Sequence, residues 1–245
     1  MIVVHHLNES RSQRILWLLE ELGVEYEIKA YERDAKTRLA PDALRAVHPL
    51  GKSPVVTDGE TTVHESGAII DYIIRHHGAG KLQPAVSDPD YEAYLQWLHY
   101  AEGSAMLPLM LQMYVMRLGE AGAPLHPRIE SEVANHLAYL DQALAGRDYL
   151  MGQALTGADI QMSFVGEVAR AFGKPFEPGL WDFDQSLPHI VRNIRGEACP
   201  TQTGTPDPAL TQKRAETEWN IAFGICLAEY RNRPARAAEI KRQLK

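Results

Sequence analysis

The first 31 residues constrain the fold most, because they alternate between a short strand, a helix and a second strand. The run "IVVHHL" (2–7) is typical of a strand, apolar positions recur at helical spacing from Arg11 onward, and "EYEIKAY" (25–31) alternates again. Gly23 stands where a left-handed helix end belongs. This order requires a crossover connection, so we predict that the two strands form a parallel pair.

The following stretch completes a small α/β layer. "APDALRAVHPLG" (40–51) predicts a short helix, and two β-rich runs flank Asp58-Gly59, which is the strongest short-range hairpin signal. "SGAIIDYIIRHHG" (66–78) predicts a helix that ends at its last glycine. The order β-α-β-α-β-β-α therefore indicates an α/β domain over residues 1–78.

A linker and a helical region come next. The stretch at residues 79–88 contains Gly, Pro and Ser and is typical of a linker. Helical periodicity then runs over about 89–119, 127–145 and 157–171. We therefore predict an all-helical domain over residues 89–245.

Composition narrows the classes of function. The 245 residues, with 45% hydrophobic and 23% charged side chains, are typical of a globular protein. The formal net charge of −7 argues against nucleic acid or an anionic membrane as a partner. Two cysteines, Cys199 and Cys226, form neither a disulfide framework nor a metal motif, so we expect no metal. The absence of signal-peptide features and of long apolar runs predicts a cytoplasmic protein.

Two short motifs fit either a structural role or a ligand-binding role. Pro54 follows Ser53 at the start of a predicted strand, where it fits an edge strand, a first strand residue, or a cis peptide that presents the Ser53 backbone to a ligand. Ser66 in "HESGAI" (64–69) fits a helix cap or, with free helix N–H groups, a carboxylate site. Glu65 beside it suits an amino group, so the pair would recognise the α-amino-acid end of a ligand.

Four motifs in order resemble a known family. They are "SRSQR" (10–14), "HPLGKSPVV" (48–56), "HESGAI" (64–69) and "LTGADIQMS" (155–163). Together they resemble a cytosolic glutathione S-transferase over about residues 1–175. The resemblance implies a thioredoxin-like N-terminal domain, an all-α C-terminal domain, glutathione as co-substrate, a hydrophobic electrophile as second substrate, and a homodimer.

The activity implied by the resemblance is conjugation of the glutathione thiolate to the electrophile. A non-catalytic glutathione-binding, ligand-binding or regulatory protein on the same fold is the alternative, because sites and not folds carry function. Retention of a complete set of glutathione contacts favours the enzyme, since a module that does not use glutathione has no need of them.

The resemblance also implies roles for single residues. Ser53 pairs through its backbone with the cysteinyl part of glutathione, next to a cis-proline at Pro54. Glu65 and Ser66 hold the γ-glutamyl group, and Lys52 reaches the glycyl carboxylate.

Thr156 to Asp159 match the N-capping box of the family, which is a folding element and not part of the site. The residues agree with this interpretation, because a "T-x-x-D" pattern that opens a helix predicts a reciprocal cap.

Members of the family stabilise the thiolate with a Tyr, Ser or Cys near the first helix. No Tyr precedes Tyr26 and no Cys precedes Cys199, so the sequence resembles the serine-type, theta-like enzymes of bacterial or fungal type. Ser10 is the predicted catalytic residue, and Ser12 and Asn8 are the runners-up.

The predicted role of Ser10 is to donate a hydrogen bond to S⁻. That bond, with the positive end of the first helix behind it, would lower the thiol pKa from its usual value of about 8.5. A serine at a helix start also fits a helix cap. Arg11 is a secondary candidate that would add positive potential. His5 and His6 point to opposite faces of a strand, so they cannot form one site, and we expect packed or solvent-facing side chains.

The predicted electrophile site lies between the domains, against the long helical segment at 94–117. Met106, Met110 and Met113 share one helical face, where they fit either an adaptable apolar pocket or the core. Glu102, next to a glycine where the helix is expected to bend, is a secondary candidate for contact with glutathione across a dimer interface.

The sequence departs from the family after about residue 181. "RGEACPTQTGTPDP" is typical of a loop, and a long cationic segment follows it. A lineage-specific extension or an altered reading frame would produce this atypical tail, and resequencing of the coding DNA distinguishes them.

Overall fold

The computed structural model describes residues 1–7 and 10–172. These residues form two compact units, one that ends at Ser66 and one that begins at Gly67. The division into 1–78, 79–88 and 89–245 stays a prediction. Asn8, both cysteines and the atypical tail lie outside the described residues. Within the described residues, no helix has the length and the apolar character needed to cross a membrane.

The first unit is a four-stranded mixed sheet with two helices between its strands. Its elements are β1 (Ile2–Leu7), α1 (Gln13–Leu22), β2 (Tyr26–Tyr31), α2 (Asp42–Arg45), β3 (Val55–Asp58) and β4 (Thr61–His64). The strand order is β2-β1-β3-β4, with β1 parallel to β2 and β3 antiparallel to both of its neighbours. The predicted element order and the predicted parallel pair are confirmed.

Local sequence signals explain the ends of these elements. The apolar positions of α1 are buried, and the helix ends at Gly23, whose φ of 67° is the left-handed conformation that glycine adopts without steric cost. The turn between β3 and β4 contains Gly59 with a φ of 58°, as the Asp58-Gly59 pair predicts for a tight hairpin.

Pro54 directly precedes β3, and the Ser53-Pro54 peptide bond is cis. β3 lies between β1 and β4, so the edge-strand interpretation of Pro54 is wrong. Because Pro54 stands outside the ladder, its missing N–H removes no strand-to-strand hydrogen bond.

The regular secondary structure in the described part of the second unit is helical, and its first helix begins at Ser66, the last residue before this unit. The helices are α3 (Ser66–His77), α4 (Tyr91–Tyr100), a π-helical turn (Ala101–Ala105), α5 (Met106–Val115), a 3₁₀ segment (Met116–Leu125), α6 (His126–Leu144) and α7 (Gly157–Ala171). The predictions for α6 and α7 are accurate to within a residue. The single helix predicted over about 89–119 is wrong, because the chain widens into the π-helical turn before α5.

Pro108 accounts for that interruption. It has no N–H to donate to the carbonyl of Ser104, and its ring crowds that carbonyl, so the backbone cannot keep regular α-helical bonds there. The 3₁₀ segment is itself broken at Gly119, where φ is 57° and ψ is −133°.

The helical unit has a continuous apolar core. Its buried members include Met106, Leu109, Val133, Leu137, Leu140, Met162 and Val165. The start of α7 also packs closely on other helices of this unit: a Cβ at Gly157 would lie 2.8 Å from atoms of Ile70, Ile74 and Tyr94. Only glycine permits this approach without displacement of its neighbours.

Candidate active site

The strand registers bring the predicted glutathione-binding residues to one end of the sheet. Val55 pairs with His5 of β1 and with His64 of β4. The residues just before Val55 and just after His64 therefore lie at the end of the sheet where β1 also ends. Ser53-Pro54 and Glu65-Ser66 are these residues, so the topology alone places them side by side.

Ser10 lies just ahead of α1 and does not cap it. The first helical residue is Gln13, and the capping position is Ser12, whose carbonyl accepts hydrogen bonds from the N–H groups of Ile15 and Leu16 at 3.0 and 3.2 Å. The Ser12 side chain makes no capping hydrogen bond. Ser10 is therefore not the capping residue, but its Oγ accepts a hydrogen bond from the N–H of Ser12 at 3.3 Å, in the turn that leads into α1.

The hydroxyl of Ser10 contacts two other hydroxyl groups. Its Oγ lies 2.8 Å from Oγ of Ser12 and donates to Oγ of Ser53 at 3.3 Å. The Ser53 hydroxyl donates in turn to the carbonyl of His5 at 2.8 Å and accepts from the N–H of Leu7 at 3.2 Å. The predicted catalytic residue thus lies against the side chain that precedes the cis-proline.

His6 belongs to the same group of side chains. It is 1% exposed, and its Nδ1 lies 2.8 Å from Oγ of Ser12. Burial lowers the pKa of His6 to about 4, so its imidazole is neutral at ordinary pH. The sequence predicts a packed or solvent-facing histidine here and gives no signal of the contact with Ser12.

His5 has different partners. Its Nδ1 lies 2.9 Å from the hydroxyl of Tyr31 on β2, and its Nε2 lies 3.3 Å from Oγ1 of Thr57 on β3. Burial, and then the positive charge of Lys29, lower the pKa of His5. In the part of the chain that the structure describes, no cluster of His, Cys, Asp and Glu could hold a metal ion.

The other predicted glutathione contacts have mixed exposure. Lys52 and Glu65 are exposed, whereas Ser66 is 4% exposed and is the first residue of α3. The backbone of Glu65 has a φ of 69°, which a residue with a Cβ seldom adopts and which costs about 1–3 kcal/mol. This turn carries the chain from β4 into α3.

The methionines of α5 differ in their surroundings. Met106 is 2% exposed within the helical core, Met110 packs against that core, and Met113 is half-buried. For Met106 the core-packing alternative therefore describes the structure. Glu102 lies in the π-helical turn, and Arg11 lies next to Ser10; both are half-buried.

Thr156 and Asp159 form one half of the predicted reciprocal cap at the start of α7, the bond from the N–H of Thr156 to the carboxylate of Asp159, but not the other half. One carboxylate oxygen of Asp159 accepts from the N–H and the hydroxyl of Thr156 at 2.8 and 2.7 Å, and the other accepts from the N–H of Leu150 at 2.8 Å. The Thr156 hydroxyl donates to the carboxylate instead of accepting from the helix. Burial raises the pKa of Asp159, and it outweighs these hydrogen bonds, which lower it.

The fold defines a class of protein. A sheet that combines a parallel pair with an antiparallel hairpin entered through a cis-proline, followed by an all-helical region, is the thioredoxin-like domain and helical domain predicted above. The model of "Glutathione S-transferase, N-terminal domain" matches residues 1–75, and that of "Glutathione S-transferase, C-terminal domain" matches residues 102–192.

Individual relatives agree with these matches. Glutathione S-transferase 3 of Schizosaccharomyces pombe is 39% identical over 67% of this chain and 72% of its own. Glutathione S-transferase 1 of Saccharomyces cerevisiae is 34% identical over 71% of this chain and 84% of its own. A crystal structure of a glutathione S-transferase from Actinobacillus pleuropneumoniae is 28% identical, covers 90% of this chain and 94% of its own, and superposes with a TM-score of 0.65.

The chain therefore belongs to the glutathione S-transferase family. It is a glutathione S-transferase enzyme with the predicted fold class, and its family binds glutathione.

Proposed function

We propose that this enzyme conjugates the glutathione thiolate to hydrophobic electrophiles, and that the Ser10 hydroxyl stabilises the thiolate. In this proposal the enzyme is a serine-type, theta-like member of its family. One observation carries the assignment: the Ser10 hydroxyl lies 3.3 Å from Oγ of Ser53, the residue that precedes the cis-proline. A sulfur held at the backbone of Ser53 is then within reach of the Ser10 hydroxyl.

The remaining glutathione contacts follow from the same end of the sheet. We assign the cysteinyl backbone to Ser53-Pro54, the γ-glutamyl group to Glu65 and Ser66, and the glycyl carboxylate to Lys52. The exposed carboxylate of Glu65 suits an ammonium group, and the exposed ammonium of Lys52 suits a carboxylate. Charge and position thus agree with a ligand that carries both kinds of group.

The electrophile requires an apolar surface, and α5 offers one. Leu107, Leu111 and Tyr114 recur at helical spacing and are 57%, 43% and 54% exposed. Met110 and Met113 retain part of their surface as well. We propose that these α5 side chains, and not the buried Met106, contact the apolar substrate.

The homodimer is also part of the proposal, with Glu102 as the residue that approaches glutathione of the partner subunit. Glu102 lies where the π-helical turn interrupts regular helix, and such turns are often found at functional sites. Sedimentation of the full chain tests the dimer independently of activity.

Turnover of a generic aryl halide with glutathione tests the chemistry. We expect activity in the wild type and a roughly 10- to 100-fold lower kcat/KM in Ser10→Ala, because one hydrogen bond to an anion is worth about 1.5–3 kcal/mol. Glutathione affinity, measured separately, should change much less than the rate.

Two outcomes would contradict the proposal. An unchanged rate in Ser10→Ala would exclude Ser10 as the stabilising hydroxyl. A folded wild type that binds glutathione but turns over no class of electrophile would favour the non-catalytic binding protein.

A further inference from the structure

Four side chains form one line of hydrogen bonds beneath the proposed thiolate position. The line runs from His6 through Ser12 and Ser10 to Ser53, with separations of 2.8, 2.8 and 3.3 Å. It ends where the Ser53 hydroxyl meets the carbonyl of His5 at 2.8 Å. We call these four side chains, which are one imidazole and three hydroxyl groups, the hydroxyl line.

The carbonyl of His5 fixes the direction of the bonds at that end. A carbonyl only accepts and a serine hydroxyl has one proton, so the Ser53 proton is committed to His5. The Ser53 oxygen must then accept from its other neighbours, which are the hydroxyl of Ser10 and the N–H of Leu7. Ser10 is therefore the donor in its bond to Ser53.

The same counting sets the direction at the other end. Since the proton of Ser10 is directed to Ser53, Ser12 must donate to Ser10. The proton of Ser12 is then used as well, so Nδ1 of His6 must carry a proton and donate to Ser12. This tautomer leaves Nε2 of His6 without a proton.

The surroundings of His6 favour the same tautomer. Within residues 1–7 and 10–172, Nε2 of His6 is buried and has no hydrogen-bond partner. A proton there would be an orphaned buried donor, which folded proteins avoid more strictly than an unused acceptor. The reversed direction would create that orphan and would also remove the bond from Ser10 to Ser53.

We propose that His6 and Ser12 are positioning residues that hold the Ser10 hydroxyl in its donor orientation toward the glutathione sulfur. This inference rests on the proposed role of Ser10. The Ser10 oxygen accepts hydrogen bonds from the hydroxyl and from the N–H of Ser12, so its own proton is directed away from Ser12. The proton points instead along the longest link of the hydroxyl line, the 3.3 Å bond to Ser53.

That link is the one that a ligand replaces most easily. An O–H···O bond normally spans about 2.5–3.0 Å, so the 3.3 Å contact is weak, whereas the other links have full strength. A thiolate near Ser10 accepts the hydrogen bond of its hydroxyl, which keeps its proton, without breaking the bonds from His6 to Ser12 and from Ser12 to Ser10. Donation into the Ser10 oxygen also polarises its O–H group and strengthens the bond to sulfur.

The pKa of the bound glutathione thiol, read from thiolate ultraviolet absorbance, tests this role directly. Ser10→Ala should raise that pKa by about one to two units, because it removes a hydrogen bond to the anion. Ser12→Ala should raise it by roughly half as much, and Ser12→Thr, which keeps a hydroxyl, should restore most of the loss. The double variant Ser10→Ala/Ser12→Ala should match Ser10→Ala alone, because Ser12 acts through Ser10.

A matched control separates this effect from general loss of a buried hydroxyl. Ser163 is 2% exposed and donates to the carbonyl of Ile160 within α7. Ser163→Ala removes the same chemical group and should leave the thiol pKa unchanged. The tautomer of His6 needs no substitution: the nitrogen-15 shifts of its ring in the wild type should show a protonated Nδ1 and a bare Nε2.

The outcomes separate the two proposals. If Ser10→Ala leaves the thiol pKa unchanged, the proposed role of Ser10 fails and this inference fails with it. If Ser10→Ala raises the pKa but Ser12→Ala does not, the role of Ser10 stands and the inference is wrong. A proton on Nε2 of His6, or equal and additive effects of the two serine substitutions, also overturns the inference.

Discussion

Among the described residues, a buried polar network of the helical unit and one of the sheet unit are organised differently. In the helical unit, three donors from Thr156 and Leu150 converge on the carboxylate of Asp159 at 2.7–2.8 Å. In the sheet unit, the hydroxyl line passes one hydrogen bond from each side chain to the next. We call the first network closed, because all three of its donors have short bonds to one acceptor group, the carboxylate of Asp159. The second has a long 3.3 Å bond from Ser10 to Ser53, which the proposed thiolate would replace.

The ionisable groups of the two networks also respond to burial in opposite ways. Burial raises the pKa of Asp159, so the proton on Asp159 stabilises the fold at low pH and that contribution is lost as the pH rises through its folded pKa. Burial lowers the pKa of His6, so its contribution is lost as the pH falls. If Ser10 has the role proposed above, the closed network serves folding, whereas the open network also supplies the hydrogen bond that the thiolate accepts.

Removal of the acceptor of the closed network should give the largest effect. Asp159→Ala leaves three buried donors without their acceptor, so we expect the free energy of unfolding to fall by about 3–4 kcal/mol. Asp159→Asn keeps one acceptor oxygen and should lose roughly half as much. Urea unfolding of both variants measures this. A loss below about 1 kcal/mol in Asp159→Ala would mean that the carboxylate is not the centre of the network.

Acid should weaken the fold through His6. Its pKa is about 4 in the fold and 6.5 ordinarily, so the unfolded chain binds more protons between these values. The free energy of unfolding should therefore fall as the pH drops from 6.5 to 4, by about 3 kcal/mol from this residue. His6→Asn keeps a donor where Nδ1 stands but cannot titrate, so its curve should be flatter by this amount.

Urea unfolding at several pH values, with wild type and His6→Asn compared at each, isolates the contribution of His6. The lowered pKa of His5 acts in the same direction, but it is present in both proteins and cancels in the difference. Parallel pH curves for the two proteins would show that His6 is not held neutral by the fold.

The sequence predicts the parts of the fold that depend on neighbouring residues. The strand and helix order, the left-handed end at Gly23 and the hairpin at Asp58-Gly59 all follow from periodicity and from backbone preferences of single residues. The expected bend at Gly103 falls inside the π-helical turn, but periodicity does not predict that the helix widens there, although the missing N–H of Pro108 is a local signal for it.

The candidate site is predictable only in part, because its residues come from distant positions. The motifs identify Ser10, Ser53 and Ser66 singly, and the strand register explains why the last two approach each other. The contact between His6 and Ser12 depends on where the start of α1 lies against β1, which periodicity does not encode. Burial of Met106 likewise depends on which face of α5 meets the core.

The smallest expected effects come from removal of one hydroxyl in each network. Thr156→Val removes one of the three donors to Asp159, keeps the shape of the side chain and leaves two bonds in place, so we expect a loss of about 1 kcal/mol in the free energy of unfolding. Ser12→Ala removes one member of the hydroxyl line and should cost a similar amount. Stability alone therefore cannot distinguish the two networks.

The pKa of bound glutathione can distinguish them. Thr156→Val should leave the pKa of bound glutathione at the wild-type value, because no donor of the closed network is directed to a ligand. Ser12→Ala should raise it, since Ser10 then loses the neighbour that directs its proton outward. Equal shifts in the two variants would show that any loss of stability perturbs the thiol. In that case the open and closed networks would not differ in function, and the distinction drawn from their bond lengths would be one of geometry alone.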